Sequence, residues 1–365
     1  MKDNTTISPE WKYFAGLDVS DSYTHYCVLD QAGDTVLEGK IRTERVALHR
    51  LLHQFSEMRL ALEVGPHSRW MAAMLSEMGI EVLVANARKV RLIHGGTTKN
   101  DRVDAEKLAR LCRFDPTLLY PIQHRSHEHQ TDKEYLAARS ALVRSRTMHT
   151  NHIRGVLKSN GLKLPKTGPE KLPERAKEFL TSEMPYMLDA LGPLLEVVTM
   201  INEKIRWYDR EIERLGREKY STEMWALRQV NGVGPVTSMT YILTISDPFR
   251  FKKSRQLGAY LGLRPAQDSS GNHNPELRIT KAGNSNLRYL LVQCAHYILG
   301  PFGKDCDLRR WGLRKAEGGK RARQRAIVAV ARRLAVLLHR LWVTGEVYEP
   351  LRHSRTEEVP CVQAA

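Results

Sequence analysis

Four carboxylates stand out by their settings: Asp18 in Phe14-Ala15-Gly16-Leu17-Asp18-Val19-Ser20, Glu63 in Leu60-Ala61-Leu62-Glu63-Val64-Gly65, and Asp101 with Asp104 in Lys99-Asn100-Asp101-Arg102-Val103-Asp104-Ala105. Acids at the ends of two apolar strands and three apart on a following helix can converge on one spot. That much negative charge is tolerable there only beside hard cations. The matching chemistry is a two-magnesium phosphodiester site, in which ions about 4 Å apart hold the scissile phosphate and stabilise the attacking and leaving oxygens. Asp18 carries the most weight, because an unpaired charge among apolar strand residues is costly. Asp101 and Asp104 alone are equally readable as an acidic N-cap turn that favours the helix macrodipole.

Two further motifs could meet phosphates. Val230-Asn231-Gly232-Val233-Gly234-Pro235 lies between a helix ending near Gln229 and another over Val236–Leu243. A turn carrying Gly232 and Gly234 between helices exposes backbone N–H groups to a phosphate oxygen, as in helix-hairpin-helix units, or is an ordinary tight connection. Leu261-Gly262-Leu263-Arg264-Pro265-Ala266-Gln267-Asp268-Ser269-Ser270-Gly271 is followed by Arg278-Ile279-Thr280-Lys281-Ala282-Gly283-Asn284-Ser285-Asn286-Leu287-Arg288. A serine before a glycine, between Arg264 and the Lys281/Arg288 cluster, is suited to a phosphate whose charge the cations offset. By composition alone it is only a loop. His124, His127 and His129 occupy a charged linker and read as solvent-exposed side chains rather than metal ligands.

The elements that must position the acids follow from periodicity. Tyr13–Val19 and Tyr23–Leu29 are rich in β-branched and aromatic residues, and Gln31-Ala32-Gly33-Asp34 supplies a turn before a third strand at Thr35–Ile41. Val46–Phe55 reads as an amphipathic helix, Arg59–Val64 as a buried strand, Arg69–Met78 as a helix and Glu81–Ala85 as another strand. Three meandering strands followed by helix–strand alternation match a ribonuclease-H-like α/β layer fold. Asp101–Phe114 is predicted to be a helix with Val103, Leu108, Leu111 and Cys112 on its apolar stripe, which puts Asp101 and Asp104 on one face at its start.

Beyond Asp115-Pro116, Thr131–Lys158 is a long basic helical pattern whose apolar members are Leu136, Leu142, Val143, Met148, Ile153 and Val156, studded with Arg139, Arg144, Arg146, Arg154 and Lys158. A break at Lys163-Leu164-Pro165-Lys166-Thr167-Gly168-Pro169 precedes more helix, and Leu194–Tyr220 is again long and amphipathic. Two such helices without a private core pack as an antiparallel coiled-coil arm or a dimer interface, and Arg139 and Arg146 would then grip a nucleic-acid backbone. Lys320-Arg321-Ala322-Arg323-Gln324-Arg325 opens a core-packed helix with Ile327, Val328, Leu334, Leu338 and Leu341 as its stripe, a basic lead-in with no required function.

At 365 residues the chain is long for one core. Its 57 Lys plus Arg against 41 Asp plus Glu give a formal charge of +16 and a pI near 9.7, which favours a polyanionic partner. The five cysteines, Cys27, Cys112, Cys294, Cys306 and Cys361, form no C-x-x-C pair, which argues against a disulfide framework or zinc knuckle and fits a reducing cytosol. A polar N-terminus and the absence of a long uncharged apolar stretch predict a soluble protein with no membrane partner and no cleaved signal.

The quoted residues, in this order, resemble the DEDD-type transposases of bacterial insertion sequences, relatives of the Piv-type DNA invertases. The likeness covers most of Tyr13–Phe114 and about Leu227–Gly300. It implies an α/β plus mainly α architecture: a ribonuclease-H/RuvC-like catalytic domain over 12–115, a helical coiled-coil arm over 130–221, a mainly helical carboxy-terminal transposase domain with a helix-hairpin-helix-like unit over 222–345, and a tail over 346–365. The resemblance implies cutting and rejoining of DNA at the element junction and target, guided by an element-encoded bridge RNA. It assigns Asp18, Glu63, Asp101 and Asp104 to two Mg2+ ions, for which Mn2+ would substitute, and a nucleophilic serine to Ser270, with Ser269 directly beside it. It also implies a site composed across subunits, hence a dimer that pairs into a tetramer on DNA, in a bacterial cytoplasm and associated with the nucleoid. A RuvC-like, structure-selective endonuclease using water as nucleophile needs the acids but not the serine.

Overall fold

The structure is a computed structural model that describes residues 11–86, 90, 100–268 and 277–353. Its contacts divide the chain into two compact units, 1–125 and 126–365.

The first unit is built on a five-stranded sheet of order β3-β2-β1-β4-β5. Its strands are β1 Tyr13–Val19, β2 Tyr23–Leu29, β3 Thr35–Arg42, β4 Met58–Glu63 and β5 Glu81–Ala85. The first three form the expected antiparallel meander, and β4 and β5 add on in parallel through the helices α1 Arg45–Leu52 and α2 Ser68–Glu77. This five-stranded order with flanking helices is consistent with a ribonuclease-H-like domain.

Side chains alternate across a strand, so each face has its own core. Ala15, Leu17, Leu60 and Leu62 pack with Leu48 and Leu52 of α1 and Met71 and Leu75 of α2. The opposite face presents Cys27 and Leu29, which meet Ala105 and Ala109, and Ala61, which meets Leu108 and Cys112. Those partners lie on α3, Asp101–Phe114, whose bounds coincide with the expected helix. Its stripe is shifted, however. Val103 is 38% exposed, while Ala105 and Ala109 are fully buried, because the helix packs on a flat sheet face and small side chains allow the close approach.

The second unit is helical in every regular element described. Helices α4 His127–Ser159 and α6 Leu188–Lys219 form a long pair, with α5 Leu172–Glu183 packed against it. The pair is not without a private core: Ile153, Leu157, Leu172, Ala176, Leu180, Leu195 and Val198 form one near its tip. The intervening α5 supplies that apolar surface. Met148, expected on the buried stripe, is 62% exposed. Helix α4 also starts earlier than its apolar pattern, because Ser126 caps it by accepting the His129 N–H at 3.2 Å. His127 and His129 thus belong to a first turn rather than a linker, and His129 Nε2 lies 3.1 Å from the Leu243 carbonyl oxygen.

The body of this unit surrounds α8 Pro235–Ile245, in which every residue from Thr237 to Ile245 is buried. Around it stand α7 Ser221–Arg228, α9 Gln256–Tyr260, α10 Ser285–Leu299, α11 Asp307–Ala316 and α12 Lys320–Thr344. Tyr241, fully buried, donates its hydroxyl hydrogen to the Ala335 carbonyl oxygen on α12 at 2.7 Å. Among the described residues no helix is long and apolar enough to cross a membrane.

Candidate active site

The alternation that buries Leu17 and Leu62 sends their neighbours to the other face, so Asp18 and Glu63 project on the side covered by α3. The register pairs Leu17 with Leu62 across the parallel β1–β4 ladder, and the two acids stand one step further along. Helix α3 arrives at that point because Gly16 lets it. A Cβ on Gly16 would stand 2.1 Å from the Ala105 carbonyl oxygen and 2.5 Å from the Ala109 nitrogen. At its start, the Asn100 side chain accepts the Arg102 N–H at 3.1 Å, and the Arg102 guanidinium is clamped to Glu38 on β3. This fixes the first turn, which carries Asp101 and Asp104.

The electrostatics show that the four acids share one neighbourhood. Burial, and then the charges of Asp101, Asp104 and Glu63, push the Asp18 carboxyl up to about 6, against a smaller opposing pull from His25. His25, the antiparallel partner of Asp18 on β2, places Nδ1 3.8 Å from Asp101 Oδ2. Lys107 donates to Asp104 Oδ1 at 3.2 Å. Among the described residues no three His, Cys, Asp or Glu side chains are drawn together tightly enough to hold an ion as they stand. Asp101 and Asp104 would have to turn from His25 and Lys107 to share one. The donor set itself, carboxylate oxygens alone around a half-buried charge cluster, fits hard divalent cations rather than zinc or copper.

Ser270, with Ser269 and Gly271, lies outside the described residues. The chain leading into and out of that segment is pinned at its base. The Ala266 N–H donates to the Arg278 carbonyl, Thr280 N–H to that of Arg264 and Lys281 N–H to that of Gly262, around a bridge between Pro265 and Ile279. Gly262 is required by both conformation and space: its φ is +67° and a Cβ would stand 2.2 Å from the Ala282 nitrogen. Arg264 bonds to Gln267, and Lys281 adopts a left-handed φ of 55°. Arg288 acts as a staple, donating to the Leu261 and Ala282 carbonyl oxygens at 3.0 and 2.7 Å.

The other phosphate candidates are distributed differently. Gly232, with φ +91°, fits against the Tyr297 ring, which a Cβ would meet at 2.7 Å, and Gly234 precedes α8 as its N-cap. Arg139 pairs with Asp209 at 2.5 Å and Arg146 donates to Asn202 at 2.9 Å, so both cations tie α4 to α6. Residue type alone does not single out His25 and Gly16. The signal for each lay in its neighbour: His25 is the hairpin partner of Asp18, and Gly16 is two residues before it.

An α/β unit with a carboxylate cluster at its sheet, joined to a basic helical unit, defines a nucleic-acid-processing class of protein. A transposase model of the IS110 DEDD type matches residues 15–160, and a second, described as transposase of the IS116/IS110/IS902 family, matches 224–302. The chain is 28% identical over 91% of its length to the transposase for insertion sequence element IS1111A of Coxiella burnetii, covering 90% of that protein. It is 27% identical over 78% of its length to the transposase for insertion sequence element IS1328 of Yersinia enterocolitica, covering 83% of that protein. It is 26% identical over 87% of its length to a probable family 20 transposase of Pseudomonas aeruginosa, covering 92% of it. The chain belongs to the IS110 family of DEDD transposases.

Proposed function

We propose that this transposase cuts and rejoins DNA at its element's junction and target through Asp18, Glu63, Asp101 and Asp104, with Ser270 as the nucleophile. The observation that carries the reading is Asp18: a half-buried carboxyl pushed up to about 6 by burial and by three other acids is costly to keep unless cations offset it. Two Mg2+ ions, or Mn2+, held by these acids would stabilise the charge that develops on the attacking and leaving oxygens. In the strand-cutting step the Ser270 Oγ–P bond forms and the P–O3′ bond breaks, and the serine proton ends on the departing 3′ oxygen. Attack by a 3′ hydroxyl from another strand reverses these bonds and rejoins DNA. An element-encoded bridge RNA, by pairing with both target and donor, would leave the protein to recognise helix shape and backbone. A dimer, pairing into a tetramer on DNA, completes the reading, and a mass measurement giving monomer alone, free and with RNA plus DNA, would remove it. Action on chromosomal DNA implies a cytoplasmic, nucleoid-associated protein.

A second reading has a specific observation behind it. All four acids belong to the first unit and the Ser270 segment to the second, so a RuvC-like hydrolysis by water could run on the acids alone. The test is a denaturing gel of protein incubated with Mg2+, its retained RNA and junction DNA. A covalent adduct that disappears with Ser270→Ala, and separately with Asp18→Asn, is the expected result. Cleavage without an adduct, unaffected by Ser270→Ala, would make water the nucleophile.

A further inference from the structure

The second unit contains a cleft of about 1490 Å³, walled by α11, α12 and the pinned stem that leads into and out of the Ser270 segment. Gln267 and Leu277, one from each side of that stem, line it. Its charge is one-sided, with ten Lys and Arg against three Asp and Glu. Two of the three acids are already engaged. Asp307 accepts the His353 N–H at 2.8 Å, and Glu346 pairs with Arg340 at 2.7 Å and Arg352 at 3.3 Å. Arg278, Arg321 and Arg332 have no carboxylate partner among the described residues.

Helix α12 produces this wall by carrying two faces. Ile327, Val330, Leu334 and Leu338 point into the core, whereas Arg321, Arg325, Val328, Arg332 and Val336 recur at helical spacing along the cleft. Opposite them Trp311 of α11 stands in the wall with the Arg333 guanidinium 3.5 Å from its ring centre. Cations therefore alternate with flat or aliphatic surface, including Leu263 and Pro265 of the stem.

That mixture distinguishes among nucleic-acid ligands. A duplex shows its phosphates outside and hides its base faces, so it would use the cationic rim and leave the apolar walls wet. An unpaired strand satisfies both, placing phosphates on arginines and base faces on aromatic or aliphatic surface. We propose that this cleft binds an unpaired stretch of polynucleotide, DNA or RNA, a few nucleotides long, against the described stem residues 263–267 and 277–281. The inference deepens the transposase reading and rests on it for the nature of the ligand.

The test is fluorescence anisotropy of full-length protein with labelled oligonucleotides about 12 nucleotides long, as unpaired DNA, unpaired RNA and duplex DNA, in chelator and across a salt series. The native protein is expected to prefer an unpaired strand to the duplex. Tighter DNA or tighter RNA binding identifies which strand occupies the cleft, and equal binding assigns both. The Arg321→Gln, Arg332→Gln double variant should bind the unpaired strand about 10-fold or more weakly, with a log–log salt slope shallower by about 1.4, since each single-strand phosphate contact contributes roughly 0.7. Trp311→Leu should weaken binding about 5-fold or more with the slope unchanged. If Arg332, which packs on Gly258, cannot be changed without unfolding, Arg321→Gln alone should shift the slope by about 0.7. Preference for duplex, or arginine variants that fold yet bind within twofold of the native protein at the same slope, would overturn the assignment. Chelator removes metal-dependent cutting, so failure here leaves the Ser270 adduct test standing, and failure there leaves the binding result standing.

Discussion

The two units handle charge in opposite ways. In the first, four acids are forced together at the end of a sheet, on positions fixed by strand alternation and by a helix lying within contact of Gly16. In the second, ten cations are spread over the walls of an open cleft on long side chains that reach water. Concentrated like charge needs rigid backbone and costs stability until a counterion arrives, whereas dispersed charge costs little and tolerates change. Loss of one acid should therefore be decisive for chemistry, and loss of one arginine graded for binding.

The largest expected effect sharpens that contrast. Asp18→Asn should lower Mg2+-dependent strand cleavage by about 100-fold or more while leaving unpaired-strand binding in chelator within twofold. A gel-based cleavage time course and anisotropy on the same preparation check both halves. If binding falls with cleavage, the division of labour between the units is wrong.

Next in size is Gly16→Val. The added side chain would meet backbone atoms of α3 rather than a movable side chain, so the helix must shift, at about 1–3 kcal/mol in chemical denaturation. Magnesium-dependent cleavage should be lost beyond what stability explains. Gly262→Ala should cost a similar amount, about 1–3 kcal/mol, through its left-handed φ and the Ala282 backbone, and should weaken strand binding without altering Mg2+ affinity.

A smaller effect concerns pH. The folded-state carboxyl of Asp18 titrates at about 6, above its ordinary 3.8, so the folded protein keeps a proton that the unfolded chain releases. That contribution to stability is fully present below about pH 4 and is lost as pH rises through about 6. Asp18→Asn should accordingly stabilise the metal-free protein at pH 7.5 by about 1 kcal/mol, discounted for partial exposure, and change nothing at pH 4. Thermal melts in chelator at the two values check it. Magnesium should raise the Tm of the native protein and not of the variant. Smallest is Tyr241→Phe, which removes the hydrogen bond to Ala335 inside the second unit and should cost about 1 kcal/mol with no change at the acidic site.

Much of the sheet was legible in the sequence. Strands β1 and β2 and helix α3 fall where alternation and helical period put them, because burial of one face imposes a period that local chemistry repeats. Val103 and Met148 broke the pattern. An apolar residue at helical spacing is buried only if a partner covers that side, and the partner comes from distant chain. The arm's private core is hidden from the pattern of either long helix for the same reason, since α5 supplies surface that neither encodes. For the histidines of α4 composition points to a linker, but that polar, charged stretch is a capped first turn because Ser126 accepts an N–H, and His127 is exposed there.

By itself the sequence determined the identity of the four acids, the strand and helix that carry them, the basic balance and the order of motifs that marks the family. These depend on residue type and local period, which a linear chain carries in full. Tertiary structure alone decided that Asp18 and Glu63 share a sheet face beneath α3, that His25 and Lys107 attend Asp101 and Asp104, and that Arg139 and Arg146 tie the two long helices of the arm together. It also turned a basic lead-in on α12 into the wall of a cleft. The physical reason is common to all of them: which groups neutralise, bury or expose a charge is set by neighbours far away in sequence.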